Sequence, residues 1–294
     1  MTAKILTTVS IISLTISAFI VIFQVADTRS VATALSVDQK NEQVKILIVP
    51  GHEPNSGGAD EFKKIKERDL NLQLSEILQN ILSKNTKLEI SLARDKNGWN
   101  KDLEKFVTTN ETKIMDWAAS NKKEMLARAD KGEFKIIDPD MKHNEAASNA
   151  VLFLYGTNKW IEENKIDLTI HIHFNNNPKI NGKPNYRGYS MYIPEKQYSN
   201  SSSSRIFANY LNEEIFKIQK QSNMPQEKDI IIESQELIAI GNYDTLKIPS
   251  VVVEYAYIYE PVMLSSSTRN AFIEKAASST ATAINQYIEK EFIK

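Results

Sequence analysis

The stretch that most constrains the fold is residues 44–60, VKILIVPGHEPNSGGAD. It opens with a largely apolar run that breaks at Pro50-Gly51, and His52 follows immediately. An apolar run of this length that ends in Pro-Gly predicts a buried strand leading into a turn. Such strands are typical of parallel α/β sheets, in which ligands bind beyond the carboxyl ends of the strands. His52 is therefore predicted to lie where an α/β protein carries its functional site.

Composition narrows the possible chemistry. The chain has 294 residues, enough for one large domain or two small ones, and a formal net charge of −1, which argues against binding nucleic acid through bulk charge. It has no cysteine, which excludes a disulfide scaffold and a cysteine-ligated zinc site. Any histidine-based metal site must draw on the four histidines, which are His52, His143, His171 and His173.

The N-terminal residues 1–26 are predicted to be a targeting segment. Residues 5–26 carry no charge and are long enough to cross a bilayer as a helix, which favours an uncleaved signal anchor. The alternative is a cleaved signal peptide, for which residues 32–34 offer small side chains. Residues 27–43 are polar and predicted to form a tether. Either alternative places the rest of the chain outside the cytoplasm, anchored to the membrane or secreted after cleavage.

The remaining residues alternate between strand and helix patterns, which predicts an α/β domain over residues 44–294. The polar segment 98–142 is predicted to be an insertion that lies on the domain outside its core and contains one helix. Predicted strands are residues 44–49, 88–93, 187–194, 230–240 and 250–255, and residues 166–177 are predicted to form a further strand and its exit loop. Predicted helices are residues 61–83, 111–131, 143–164, 205–221 and 266–292.

Glu67 is the first candidate carboxylate. It lies three residues before Leu70, which belongs to the apolar stripe of its helix, so it is predicted to face inward near the helix start. A carboxylate in that place needs a partner. The alternative is a glutamate that is favoured near the helix start only by the helix dipole.

His171 and His173 lie at the mouth of a predicted buried strand. They are two residues apart, so on a strand they share a face, and three asparagines, residues 175–177, follow them. Packing alone explains this pattern poorly, although a core histidine with satisfied hydrogen bonds remains the alternative for either. His143 lies among polar residues and is interpreted as solvated or as a helix cap.

Glu254 is the second candidate carboxylate. It follows three valines near the carboxyl end of a predicted strand, which is the edge where an α/β site forms. Two imidazoles and one carboxylate with an open fourth position are a usual set for catalytic zinc. His52, His173 and Glu67 provide that set, and Glu254 is then placed to move protons.

With these residues the chain resembles the zinc-dependent N-acetylmuramoyl-L-alanine amidases of the Amidase_3 family. The first family motif begins with a strand, which is followed by Asp-Pro-Gly-His-Gly-Gly and then by Gly-Ala. It ends with a glutamate fifteen residues after the histidine. Here Gly58-Ala59 follows His52, and Glu67 is fifteen residues after it. The second motif is Ser-Ile-His-Ala-Asn after Asp-Leu, and here residues 171–175 follow Asp167-Leu168. The last motif is an apolar run that ends in glutamate, which matches residues 251–254.

The resemblance implies a single α/β domain with a twisted, mostly parallel sheet and helices on both faces, preceded by the N-terminal hydrophobic helix. It implies that His52, Glu67 and His173 bind Zn²⁺ and that Glu254 is the catalytic acid/base. His171 and Asn175 are expected to support the ligands or to contact the substrate. Arg94, which matches an arginine of the family, is expected to be structural.

The implied reaction is hydrolysis of the amide between N-acetylmuramic acid and L-alanine in peptidoglycan. The implied partners are peptidoglycan and, through the N-terminal segment, the membrane, with no nucleic acid. Two alternatives stay open: a zinc hydrolase of another peptide or acyl-amide, and a non-catalytic cell-wall-binding module with the same fold. Glu254 argues against the binding module, because a pure binder has no need of that carboxylate.

Several departures mark a divergent member. Val49 replaces a family aspartate that supports the metal ligands, and loss of such a partner lowers metal affinity or activity by about 10- to 100-fold. This departure favours the binding module. Glu53-Pro54 replaces a glycine pair, His171 replaces a serine, and residues 255–257 replace a Gly-Phe turn.

Overall fold

The computed structural model describes residues 43–54, 65–138, 148–176 and 186–292. The predicted anchor, most of the tether and His143 lie outside the described residues. Within those residues, no helix combines the length and the apolar character that a membrane span requires. The division into anchor, tether and catalytic domain therefore stays a prediction.

A six-stranded sheet forms the centre of the domain, in the order β2-β1-β5-β8-β6-β7. The first four strands are parallel, β6 runs antiparallel to β8, and β7 is parallel to β6. The predicted α/β domain with a mostly parallel sheet is confirmed. The strands are β1 (Val44–Pro50), β2 (Leu88–Leu92), β3 (Arg94–Asp95), β4 (Gly98–Trp99), β5 (Leu168–Asn175), β6 (Ser190–Pro194), β7 (Ile231–Ser234) and β8 (Ser250–Tyr257), of which β3 and β4 form a separate two-stranded ribbon.

Helices cover both faces of this sheet. The helices are α1 (Glu67–Leu82), α2 (Lys101–Thr109), α3 (Glu111–Asp130), α4 (Ser148–Glu163), α5 (Ser201–Ile215), α6 (Pro261–Leu264) and α7 (Ser266–Glu291). Ile46 and Ile48 pack with α1, α5 and α7 in one core, whereas Leu47 and Val49 pack with α2, α3 and α4 in another. Successive strand residues point to opposite faces, so β1 needs apolar side chains at nearly every position.

The prediction that residues 98–142 lie outside the core with one helix is wrong. The segment forms both α2 and α3, and its side chains Leu103, Val107 and Ile114 are buried against β1 and α4. Leu103 and Val107 are four positions apart on α2, which is helical spacing, and Ile114 lies in the first turns of α3. The many charged residues around them lower the average hydropathy of residues 98–142. This short apolar stripe is therefore not evident from composition.

Two other boundaries differ because of contacts that are distant in sequence. The helix predicted to start at residue 205 begins at Ser201, where Ser201 Oγ donates to Pro194 O at 2.8 Å and Ser204 Oγ accepts from Ser250 N at 2.9 Å. The strand predicted for residues 230–240 ends at Ser234, and a 3₁₀ turn, Ile238–Ile240, follows it. The backbone of Ala239 in that turn forms a hydrogen bond with the candidate site residue His171.

Candidate metal centre and active site

The candidate residues meet at one edge of the sheet. Strands β1, β5 and β8 are parallel neighbours, so their carboxyl ends lie side by side. His52 follows β1, His173 is near the end of β5, and Glu254 is the register partner of His173 on β8. Glu67 is the first residue of α1, which starts at the same edge.

His52, Glu67 and His173 form a compact cluster, called the His–Glu–His group below. Glu67 lies between the two rings, with Oε2 2.7 Å from His52 Nε2 and Oε1 3.0 Å from His173 Nδ1. One potential ligand atom from each residue lies within 4.8 Å of the other two, close enough to hold a metal ion. The structure therefore brings together the three residues that the sequence predicts as ligands.

The electrostatics of the group suit metal binding. Burial alone would raise the pKa of Glu67, but hydrogen bonds and charge interactions with His173 and His52 hold that pKa well below its usual range. Burial lowers the pKa of His173 despite its contact with Glu67. The group therefore offers a carboxylate and a neutral imidazole at neutral pH, the forms that bind a metal ion.

The donor set fits a catalytic zinc ion. Structural zinc sites are closed by four protein ligands, whereas catalytic sites use three, commonly histidine and carboxylate, and keep one position open. The side chains of His52 and His173 are 29% and 21% exposed, and that of Glu67 is 4% exposed. An ion held between them would be open to a substrate on the side of the two histidines.

The backbone at His52 is in an uncommon conformation. Its φ of 67° lies in the left-handed region, which non-glycine residues seldom adopt and which is enriched at functional sites. Arg94 and Asn71 fix the turn before it: Arg94 donates to Pro50 O and Gly51 O at 3.1 and 2.7 Å, and Asn71 Nδ2 donates to Gly51 O at 3.2 Å. These bonds agree with the structural role predicted for Arg94.

Gly51 makes room for the ring of His173. A Cβ atom at Gly51 would lie 2.3 Å from two atoms of that ring. We expect Gly51→Ala to displace His173 and to weaken zinc binding by about 10- to 100-fold, the size of effect seen when ligands lose their orientation. Competition with a chromogenic chelator measures this affinity. Wild-type zinc affinity in a folded Gly51→Ala protein would contradict the proposed fit.

Glu254 is an isolated carboxyl group beside the His–Glu–His group. Its Oε2 atom is buried and forms no hydrogen bond with any atom of the described residues. Burial, and then the negative charges of Glu67 and Glu227, raise its pKa well above the usual value of 4.5. A carboxyl group in this environment takes up a proton readily, which suits an acid/base residue.

Two of the departures from the family pattern are neighbours in the structure. Val49 on β1 and His171 on β5 are register partners, so their side chains lie side by side on one face. His171 is 2% exposed, and burial lowers its pKa to about 3 although a hydrogen bond with the Ala239 backbone opposes the shift. Val49 stands where the family has aspartate, and His171 stands where it has serine. The two replacements therefore change one pair of neighbouring side chains.

His171 is outside the His–Glu–His group, and its burial favours a supporting role over contact with substrate. We expect His171→Ser, which restores the family residue, to keep one zinc per chain and most of the activity. Elemental analysis of the purified variant measures the metal. Loss of the zinc in this variant alone, with His173→Ala still holding it, would show that His171 is the true ligand.

Sequence reasoning missed Glu227, which lies under the candidate site. It is fully buried, and its oxygens accept hydrogen bonds from Asn175 Nδ2 at 3.0 Å, Tyr192 OH at 2.8 Å and Tyr257 OH at 2.9 Å. Glu227 stands in the polar run PQEKD, where nothing in the local pattern distinguishes it from a surface glutamate. Asn175, predicted to support the ligands or to contact the substrate, is thereby tied to a buried carboxylate.

A groove of about 840 Å³ begins one residue after His52. Glu53 and Pro54 line its end, and Trp99 and Phe153 line its wall, with their rings stacked at a centroid distance of 4.5 Å. A second cavity, of about 1080 Å³, lies between α5 and β7 and contains none of the candidate residues. Neither cavity is lined by the candidate residues that the structure describes. We associate the smaller groove with the site because Glu53, which lines it, directly follows His52 in the chain.

A mostly parallel α/β sheet that carries a His–Glu–His group and a buried glutamate at its carboxyl edge defines a candidate metal-dependent hydrolase. The sequence matches the model of the Amidase_3 family, described as N-acetylmuramoyl-L-alanine amidase, over residues 46–286. The chain belongs to this family of enzymes, and the resemblance found in its motifs is confirmed.

Solved structures share the fold. The CwlD amidase from Clostridioides difficile, solved in complex with the GerS lipoprotein, matches with a TM-score of 0.54 and 15% identity over 84% of this chain and 99% of that one. The catalytic domain of CwlV, an amidase from Bacillus (Paenibacillus) polymyxa var. colistinus, matches with a TM-score of 0.52 and 16% identity over 84% of this chain and 99% of that one. AmiC2, an amidase of Nostoc punctiforme, matches with a TM-score of 0.51 and 16% identity over 85% of this chain and 100% of that one. A search among curated proteins finds no match.

Proposed function

We propose that the chain is a zinc-dependent amidase that hydrolyses the amide bond between N-acetylmuramic acid and L-alanine in peptidoglycan. The observation that carries this proposal is the His–Glu–His group, with its two contacts of 2.7 and 3.0 Å, next to Glu254 in a member of this family. His52, Glu67 and His173 would hold the zinc ion.

A bound zinc ion would polarise a carbonyl group and lower the pKa of a water molecule to near neutrality. Glu254 carries out the proton transfers: its carboxylate takes a proton from the attacking water and gives it to the amide nitrogen as the C–N bond breaks. The products are a lactyl carboxylate on the muramic acid and a free amino group on L-alanine. The raised pKa of Glu254 favours the uptake of that proton.

The groove beside Glu53 and Pro54 offers space for the substrate on one side of the site. Its wall combines the Trp99–Phe153 stack with charged and amide side chains. Such a mixture suits a ligand that presents both apolar and polar surfaces, as peptides and sugars do.

The two alternatives differ in what they require of the site. A cell-wall-binding module is favoured by Val49, but it leaves unexplained why Glu254 keeps a buried carboxyl oxygen without a partner, which costs stability. A zinc hydrolase of another acyl-amide keeps the same chemistry. The departures at Glu53-Pro54 and at residues 255–257 flank the site and favour that alternative.

Digestion of purified peptidoglycan by the full chain, followed by mass analysis of the soluble fragments, tests the proposed reaction. We expect peptides that begin with a free L-alanine and glycan strands that keep an intact muramic acid carboxyl group. Release of fragments cut at any other bond would exclude this substrate assignment. Absence of release from a zinc-loaded, folded protein would favour the binding module.

We also propose that the chain acts outside the cytoplasm, held to the membrane by the uncharged residues 5–26. The full chain should sediment with membranes and resist extraction by high salt, because hydrophobic insertion does not depend on ionic strength. Cell fractionation and N-terminal sequencing measure this. A mature N-terminus near Leu35 would show instead that the segment is cleaved and the protein secreted.

A further inference from the structure

Glu227 joins three strands of the sheet at the edge that carries the site. Its hydrogen-bond donors, Asn175, Tyr192 and Tyr257, belong to β5, β6 and β8 respectively. Glu254 lies on β8 among them, and the mechanism above assigns no task to Glu227. A buried carboxylate that receives three hydrogen bonds is costly to move, so it fixes the side chains that donate to it.

The contact with Glu227 determines the orientation of the Asn175 amide group. The two ends of an asparagine amide are distinguished only by their hydrogen bonds, and the oxygens of a carboxylate accept rather than donate. The Nδ2 atom of Asn175 must therefore face Glu227, as observed at 3.0 Å. Its Oδ1 atom points elsewhere and forms no hydrogen bond within the described residues, and the side chain is partly exposed.

Asn175 thus presents an acceptor at the active edge, two residues beyond His173. A hydroxyl group both donates and accepts, so it could bind either orientation of an asparagine amide. A backbone N–H only donates, so it requires an acceptor whose orientation is fixed. The arrangement is suited to an N–H donor rather than to a hydroxyl group, and the peptide supplies such a donor at each of its linkages.

We propose that Asn175 Oδ1 accepts a hydrogen bond from a backbone N–H of the peptide attached to muramic acid. Glu227 is the positioning residue that holds Asn175 in the accepting orientation. This inference rests on the proposed amidase function, and it identifies the peptide as the part of the substrate that the site reads at this position.

Synthetic muramyl peptides test the contact. One substrate is unmodified, and the others carry a single N-methyl group at one of the first peptide linkages after L-alanine. For the linkage that contacts Asn175, N-methylation should lower kcat/KM of the full wild-type chain roughly tenfold, since it leaves an acceptor unpaired. In Asn175→Ala the same methylation should cause no further loss, because the acceptor is already absent.

Glu227→Gln tests the positioning role. The amide group of the new glutamine can donate to Asn175 Oδ1, so the Asn175 amide turns and its Nδ2 atom faces the substrate. Two donors, Asn175 Nδ2 and the peptide N–H, then face each other. We expect kcat/KM for the unmodified peptide to fall roughly tenfold, mainly through KM, with the zinc content unchanged. Glu195→Gln is the matched control. Glu195 is also a buried carboxylate, but it follows β6 at the opposite edge of the sheet, so its variant should keep wild-type kinetics.

A purely structural role for Asn175 and Glu227 predicts the same methylation penalty in wild type and in Asn175→Ala, and that result would overturn the inference. If Glu227→Gln fails to fold, the comparison through Asn175→Ala still decides, because that side chain is partly exposed. Failure of the wild-type chain to cleave the unmodified peptide would overturn the amidase proposal and this inference together. Cleavage of that peptide with equal methylation penalties would overturn this inference alone.

Discussion

Replacing Glu254 by glutamine is expected to lower hydrolysis about 10²- to 10⁴-fold, the usual contribution of a general acid/base group. Glutamine keeps the shape of the side chain but cannot take up and release the proton. The variant should still fold, bind one zinc and bind peptidoglycan. Fragment release per folded chain, with Glu213→Gln on the exposed face of α5 as control, measures the effect. Unchanged release from a well-folded Glu254→Gln protein would rule out the mechanism.

The same variant should stabilise the metal-free protein at neutral pH. The folded-state pKa of Glu254 lies above its unfolded value of about 4.5, so the folded state binds the extra proton. Stability is then highest below the unfolded pKa and falls as the pH rises toward the folded pKa. Glutamine removes this loss, so the Tm of the variant should exceed that of wild type at pH 7 and match it near pH 4. A lower Tm at pH 7 would indicate a structural glutamate instead.

Removing either histidine of the His–Glu–His group is expected to abolish metal binding and hydrolysis. His52→Ala and His173→Ala each leave two protein ligands. We expect zinc affinity to fall by more than about 100-fold, since even loss of a residue that only orients a ligand costs about 10- to 100-fold. Elemental analysis after dialysis measures the retained zinc. His171→Ser is the control, and full zinc retention in both alanine variants would refute the site.

The sequence predicted those parts of the site that depend on local pattern. The run that ends at Pro50-Gly51 gave the strand that presents His52, and the spacing of Glu67 from Leu70 placed its carboxylate on the inner face of α1. His173 followed from the alternation of residues along β5. Each of these inferences needs only the periodicity of a single strand or helix, and that periodicity is visible in the order of its residues.

The parts that were missed depend on contacts between distant segments. Glu227, for example, accepts its hydrogen bond from Asn175 across 52 positions of the sequence. The pairing of Val49 with His171 depends on the register between β1 and β5, which no local pattern encodes. For the same reason the second core, in which Leu103 and Val107 pack against β1, was mistaken for a peripheral insertion.

The central claim is that hydrolysis of the muramyl amide depends on one zinc ion held by the His–Glu–His group. The most direct test treats the full chain with a chelator and then titrates it with Zn²⁺ while new N-terminal L-alanine is measured on peptidoglycan. The account predicts no release without zinc and a rise that saturates near one equivalent per chain. Full release from the metal-free protein, or no release at any zinc concentration, would contradict it.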